Sequence, residues 1–308
     1  MNLEFVVKWR LKMQKISLNA MAKINLGLDV LRRREDGYHE VKMIMQTLNI
    51  YDTITIVKKQ TPGITVKVDA VELPTDENNL IYKAAKLMYE NYSIEQGVEI
   101  SLIKRIPIAA GMAGGSTDAA ATLVGINKLF DLGCDKTELE RIGVKIGADV
   151  PYCIEGGTAL SEGIGEKLTS LPSAPDCFVV VAKPEISVST KYVYENLHAN
   201  ELAYHPDIDG MVEAIDSQDL DGICKRMEIV LENVTEKKYP VISQIKNILK
   251  EQGAENSLMS GSGPTVFAIF KEEESALKAL DAVREAGLVK QSFVTTFAKK
   301  AQVEAEEN

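Results

Sequence analysis

The run richest in chemical potential is Ile106-Pro107-Ile108-Ala109-Ala110-Gly111-Met112-Ala113-Gly114-Gly115-Ser116-Thr117-Asp118-Ala119-Ala120. Its glycines and alanines leave the backbone uncovered, so successive N–H groups can converge on one anion. Ser116 and Thr117 stand where a helix is expected to begin, and their hydroxyls can cap it or bond a phosphate. The positive end of the helix dipole adds to this. A small-residue loop that packs a helix on a sheet would use the same letters, so the run alone leaves both readings open. A second glycine element, Met259-Ser260-Gly261-Ser262-Gly263-Pro264-Thr265, lies between a predicted helix and an apolar strand, and alone it reads as a turn or as a site.

Two charged residues could act on a bound phosphate. In Ala22-Lys23-Ile24-Asn25-Leu26, strand alternation puts Lys23 and Asn25 on one face and Ile24 and Leu26 on the other. Asp149 stands in Gly147-Ala148-Asp149-Val150-Pro151. A strand lysine is ordinarily a solvated edge residue and such an aspartate ordinarily a cap, so neither residue identifies itself. Competing chemistries find no support: the chain lacks GxxxxGK[ST], GxGxxG and GxSxG, and none of His39, His198 and His205 lies in an HExxH. Cys134, Cys153, Cys177 and Cys224 form no CxxC pair and have no histidine at metal-ligand spacing, which predicts reduced, packed thiols and no protein metal site.

The elements that must position these groups follow from periodicity. Alternation over Thr53–Val57 and Ile64–Val68, with Thr61-Pro62-Gly63 between, predicts strands joined by a turn. Helical spacing over Asn79–Glu90 places Leu80, Ala84, Leu87 and Met88 on one face, with Asn78 or Asn79 as N-cap. A strand is predicted over Val98–Ile103, and helices over Asp118–Leu132, stopped by Gly133, and over Thr137–Ile146. Beyond Pro172 and Pro175, strands are expected at Phe178–Ala182, Thr265–Phe270 and Ser292–Phe297. Helices are expected at Tyr192–Leu197, Met211–Leu231, Pro240–Gln252 and Glu273–Glu285. The pattern predicts an α+β chain with one sheet and its helices per half, divided as residues 1–170 and 171–308. A length of 308 residues suits two domains of about 150 residues, with a cleft for a small molecule between them.

The net charge of −10 argues against a nucleic-acid partner, which would need a basic face. Arg32, Arg33 and Arg34 are followed at once by Glu35 and Asp36 and read as a solvated turn. The longest apolar β-like run, Cys177–Ala182, is far short of the roughly 20 residues that span a bilayer, and Glu4, Lys8, Arg10, Lys12 and Lys15 break up any secretory core. A cytoplasmic protein with no membrane partner is expected. The acidic end from Gln302 to Asn308 is expected to fray. Sequence leaves the oligomeric state unknown.

The motifs AKINLGLDV, DGYHEV, PIAAGMAGGSTDAAATL, IGADVPYC and LMSGSGPTVF, in this order, resemble the GHMP kinase superfamily over about Ser17 to Ala298. AKINL with DGYHEV and GADVP resembles a branch acting on a cytidyl diphosphate sugar alcohol for isoprenoid synthesis rather than on homoserine, mevalonate or galactose. The resemblance implies a two-domain architecture, each domain a mainly antiparallel sheet with packed helices and the active site in the cleft between. It implies ATP as co-substrate, with Mg²⁺ brought by the nucleotide. Pro107 to Thr117 would wrap the ATP phosphates, while Gly261, Ser262 and Gly263 close over the site. Lys23 and Asp149 would act on the acceptor hydroxyl, the carboxylate taking its proton and the ammonium offsetting charge on the transferred group. Tyr38 and Tyr194 would stack on the base, with His39 at its edge and Asn25 and Thr190 as further contacts. Tyr194 reads equally as a helix residue packed on the core. Met21 replaces the family's usual proline before AKINL, and the first dozen residues precede the usual start, which makes Met13 a candidate initiator.

Overall fold

The computed structural model describes residues 13–202 and 204–299 and the backbone of 305–306. The expectations for the first dozen residues and for the acidic end from Gln302 lie outside them. The described strands are β1 (Lys15–Arg33), β2 (His39–Lys59), β3 (Ile64–Val68), β4 (Gly97–Ile103), β5 (Thr158–Gly163) and β6 (Lys167–Ser170). They continue with β7 (Phe178–Lys183), β8 (Glu228–Ile229), β9 (Asn256–Met259), β10 (Val266–Phe270), β11 (Gln291–Thr296) and β12 (Ala305–Glu306). The helices are α1 (Leu80–Tyr92), α2 (Gly114–Phe130), α3 (Lys136–Gly143), α4 (Val150–Glu155) and α5 (Thr190–Glu195). They are followed by α6 (Ile208–Asp216), α7 (Leu220–Arg226), α8 (Glu232–Lys238), α9 (Val241–Glu251) and α10 (Glu273–Glu285).

Two sheets organise the α+β chain. The larger runs β12-β1-β2-β4-β3, with β5 and β6 continuing from β2 and β8 lying parallel to β1; the smaller runs β11-β7-β10-β9, all antiparallel. Only the β3–β4 and β1–β8 pairings are parallel among the described strands. The first part of β1 alternates buried and half-exposed residues as far as Met21, and then every residue from Ala22 to Val30 is buried. Both faces of that stretch are covered, so Lys23 is not the solvated edge residue its letter suggests; it is 5% exposed. The β1–β2 register shifts between Met21 and Lys23 and again between Asn25 and Gly27, and such bulges re-aim side chains. They fall immediately around Lys23 and Asn25.

Helix α2 lies across β1 and β2, and Gly125 allows the approach: a Cβ there would stand 2.6 Å from Ile56 and 2.8 Å from Leu18. Several boundaries differ from expectation. Helix α2 starts at Gly114 rather than Asp118, and Asp131 in the left-handed region ends it before Gly133 is reached. In α1 the capping residue is Asn79, whose side chain accepts from the Ile81 N–H, and the buried face is Ile81, Ala84, Ala85 and Met88, with Leu80 and Leu87 only half-buried. The helical stretch expected over Met211–Leu231 resolves into two helices, α6 and α7, followed by β8, because Asp219 caps a new helix by accepting from the Gly222 N–H. No helix among the described residues is long and apolar enough to cross a membrane.

Candidate active site

The glycine run is pinned at its entrance by a carboxylate. Asp52 Oδ1 accepts from the N–H of Arg105 at 2.5 Å and of Ile106 at 2.8 Å. The chain then passes through the left-handed region at Ala109 (φ 51°), Gly111 (φ 72°) and Ala113 (φ 56°). Alanine in that region costs roughly 1–2 kcal/mol, so contacts elsewhere must hold the loop there. Two are visible: the Lys23 N–H donates to Met112 O at 3.2 Å, and Ser260 Oγ donates to Gly111 O at 2.9 Å. Glycine is required at 111, since a Cβ there would lie 2.2 Å from the Ser260 carbonyl oxygen.

Helix α2 opens directly out of this loop. Its first backbone bond runs from the Thr117 N–H to Ala113 O at 2.9 Å, so the N–H groups of Gly114, Gly115 and Ser116 come before it and have no carbonyl one turn back to bond. Free N–H groups of this kind are suited to an anion. Ser116 and Thr117 do not cap the helix as expected: they stand inside its first turn, and the N-cap is Ala113. Ser116 lines a cleft of about 880 Å³, as does the loop from Pro107 to Gly115 except Met112. Met112 and Thr117 are buried beneath it, and Gly263 is likewise outside the lining, whereas Gly261 and Ser262 belong to it.

Lys23 and Asp149, 126 residues apart in the chain, meet in this cleft with Nζ 3.6 Å from Oδ2. Lys23 Nζ also donates to Asn25 Oδ1 at 2.8 Å, and Asn25 Nδ2 donates to Met43 Sδ at 3.2 Å, which fixes the direction of the ammonium. Asp149 occupies the N-cap position of α4 yet makes no capping bond, leaving its carboxylate available. Its side chain is 33% exposed against 6% for Lys23: one partner is held, the other presented.

Beneath the loop lies a charged cluster that sequence reasoning missed. Lys104 Nζ donates to Asp118 Oδ2 at 2.8 Å and to Asp52 Oδ2, and all three side chains are buried. Asp52 receives three donors, whereas Asp118 receives one and its Oδ1 has no partner. A buried carboxyl with few donors favours its neutral form. Burial, with Asp52 nearby and only partly opposed by Lys104, pushes the Asp118 carboxyl up to about 8. Asp118, at the floor of the loop, is thereby shifted toward its protonated form. A signal existed: Asp118 follows Gly114 by one helical turn, so both face the same way.

At the other end of the cleft the rings of His39 and Tyr194 lie 5.0 Å apart, tilted by 39°. Burial, with the charge of Arg33 adding to it, holds the His39 ring below its ordinary pKa. Tyr38 is 59% exposed at the hairpin between β1 and β2, and Tyr194 is half-buried on α5. Thr190, also on α5, shares a 2.8 Å hydrogen bond with Ser262 Oγ, which ties this end to the second glycine element. All five residues expected to touch the acceptor, Asn25, Tyr38, His39, Thr190 and Tyr194, line the one cleft that also holds the loop. The four cysteines are free thiols, three of them buried.

A loop of open backbone N–H groups, an adjoining lysine–aspartate pair and residues of both halves around one cleft form the arrangement that a small-molecule kinase would need. Residues 79–157 match the family described as GHMP kinases N terminal domain, and residues 211–288 match GHMP kinases C terminal. The chain belongs to the GHMP kinases, ATP-dependent phosphotransferases that act on alcohol groups. Within them it is 54% identical, over 94% of its length and 100% of the relative's, to the 4-diphosphocytidyl-2-C-methyl-D-erythritol kinase of Lachnoclostridium phytofermentans. It is 51% identical to the protein of the same name from Acetivibrio thermocellus, over 88% of this chain and 96% of that one. A crystal structure of a 4-(cytidine 5'-diphospho)-2C-methyl-D-erythritol kinase superposes with a TM-score of 0.78 at 30% identity, covering 92% of this chain and 99% of that one. A homoserine kinase from Cytophaga hutchinsonii shares the fold, with a TM-score of 0.79 at 22% identity over 96% and 98% of the two chains.

Proposed function

We propose that this chain transfers the γ-phosphoryl group of ATP to the 2-hydroxyl of 4-diphosphocytidyl-2-C-methyl-D-erythritol, a step of the non-mevalonate route to isoprenoid precursors. Supporting it are relatives of that name at about half identity and a cleft that joins a phosphate loop to aromatic rings. The single observation that carries the mechanism is the Lys23–Asp149 pair at 3.6 Å beside the loop. Asp149 accepts the proton of the attacking hydroxyl, while Lys23, aimed by Asn25, offsets the charge that builds on the transferred group. The Gly114, Gly115 and Ser116 N–H groups hold the phosphates in line, which is most of what phosphoryl transfer demands. Tyr38, His39 and Tyr194 receive the base, Thr190 positions the acceptor, and Gly261 to Gly263 brace the loop.

Mg²⁺ arrives with the nucleotide in this reading. The Ser116 hydroxyl, on the cleft wall at the end of the loop, is the side-chain oxygen suited to a metal carried by phosphate oxygens and water, hard ligands such as Mg²⁺ prefers. The metal supplies charge neutralisation. We assign residues 1–170 to the nucleotide-binding domain, residues 171–308 to the second, and the protein to the cytoplasm, in keeping with its free thiols. Coupled ADP release with 4-diphosphocytidyl-2-C-methyl-D-erythritol, homoserine, mevalonate and galactose tests the assignment. Turnover is expected with the first alone, and turnover confined to another acceptor would remove the proposed substrate while leaving the kinase class intact.

A further inference from the structure

Three consecutive arginines, Arg32, Arg33 and Arg34, straddle the end of β1, and their environments differ. Arg32 pairs with Glu40 at 2.5 Å and Arg34 with Asp36 at 2.7 Å. Arg33, between them, has no carboxylate within 4.0 Å among the described residues. It nevertheless lines the cleft, together with Tyr38, His39 and Tyr194. In the β1–β2 register Arg33 stands directly opposite His39, so the two side chains share one face. Its charge reaches the His39 ring, consistent with that placement.

The other cations on the cleft wall are already matched. Lys23 faces Asp149, Lys104 lies between Asp52 and Asp118, and Lys191 stands 3.8 Å from Glu195. In a chain of net charge −10, carboxylates are plentiful, and leaving one guanidinium without a partner beside a ring-lined pocket presents a positive site to an incoming anion. A guanidinium also offers paired N–H donors in the fork that phosphate oxygens fit, which a lysine does not.

We infer that Arg33 binds the diphosphate of the acceptor beside the rings that receive its base, and thereby selects a nucleoside diphosphate over an uncharged alcohol. This rests on the cytidyl assignment made above. Arg33 is exposed, so its hold on the anion weakens as salt rises. It takes no part in the transfer itself, and its removal acts on acceptor binding and not on turnover.

The test is calorimetric titration of CDP and of cytidine into the full chain, with the nucleotide site filled by a non-hydrolysable ATP analogue. Wild type, Arg33→Ala, Arg33→Lys and, as a hairpin control, Arg32→Ala are compared. Wild type and Arg32→Ala are expected to bind CDP about tenfold more tightly than cytidine; in Arg33→Ala the preference falls below about threefold, and Arg33→Lys lies between. In steady-state assays Arg33→Ala raises KM for the cytidyl acceptor about tenfold at unchanged kcat and unchanged KM for ATP. Full retention of the CDP preference in Arg33→Ala, or a loss that falls on ATP, overturns the inference. Wild type that binds neither CDP nor cytidine refutes the cytidyl assignment instead.

Discussion

The two ends of the cleft are built on different terms. At the end assigned to the nucleotide the wall is backbone, and what holds it is buried: Asp52 grips the entrance, Lys104 and Asp118 lie under the floor, and Ser260 locks the crown. At the acceptor end the contacts are side chains on a hairpin and a short helix, and Tyr38 is 59% exposed. Backbone N–H groups carry no side-chain identity, and the buried contacts that hold them leave little room for change. Exposed side chains can be exchanged without disturbing the fold, so acceptor choice resides where substitution is easiest. The reacting pair stands at the junction, one member buried and the other presented.

The contrast can be broken at four points, beginning with the largest effect. Asp149→Asn keeps the shape but removes the proton acceptor, and kcat is expected to fall about 10³-fold with ATP affinity within about twofold. Near-normal turnover in single-turnover kinetics would take Asp149 out of the chemistry. Lys104→Met strips the ammonium from between two buried carboxyl groups and should lower unfolding free energy by about 3 kcal/mol, measured by denaturant titration. A loss below about 1 kcal/mol would mean that the floor does not hold the loop.

Tyr38→Ala is expected to raise KM for the cytidyl acceptor about tenfold and leave that for ATP alone. Equal changes in both constants would erase the distinction between the ends. The smallest effect concerns pH. An unfolded aspartate loses its proton near ~3.9, whereas folded Asp118 keeps it up to about 8. The folded protein binds the extra proton between those values, so this contribution is complete below the lower one and fades as pH rises through the upper. Asp118→Asn, which cannot ionise, should therefore lose less stability than wild type between pH 5 and 9, followed by urea midpoints; parallel curves would show that Asp118 is already ionised at neutral pH.

Legibility followed the same division. The cradle could be read because only backbone chemistry was asked of it, and glycine and alanine advertise uncovered backbone. The start of α2 could not, because Gly114 and Gly115 disfavour helix and only tertiary contact holds them in it. Lys23 looked like an edge residue, since the bulges that turn it inward leave no mark in the letters around it. Asp52 and Lys104 are 52 residues apart and individually ordinary, and only the β2–β4 pairing brings them together. Tyr194 was divided between packing and stacking, and its half-burial beside His39 has room for both. Arg33 read as one of three solvated arginines, because its lack of a partner is a property of space and not of sequence.

The bond from Ser260 to the Gly111 carbonyl joins positions 149 residues apart. On the ribosome, the loop is synthesised long before the turn between β9 and β10 that braces it. Alanines in left-handed geometry have no local reason to stay there, so the nascent chain carries the letters of this loop without its shape. The left-handed crown of the loop is therefore complete only when the segment carrying Ser260 has docked against it.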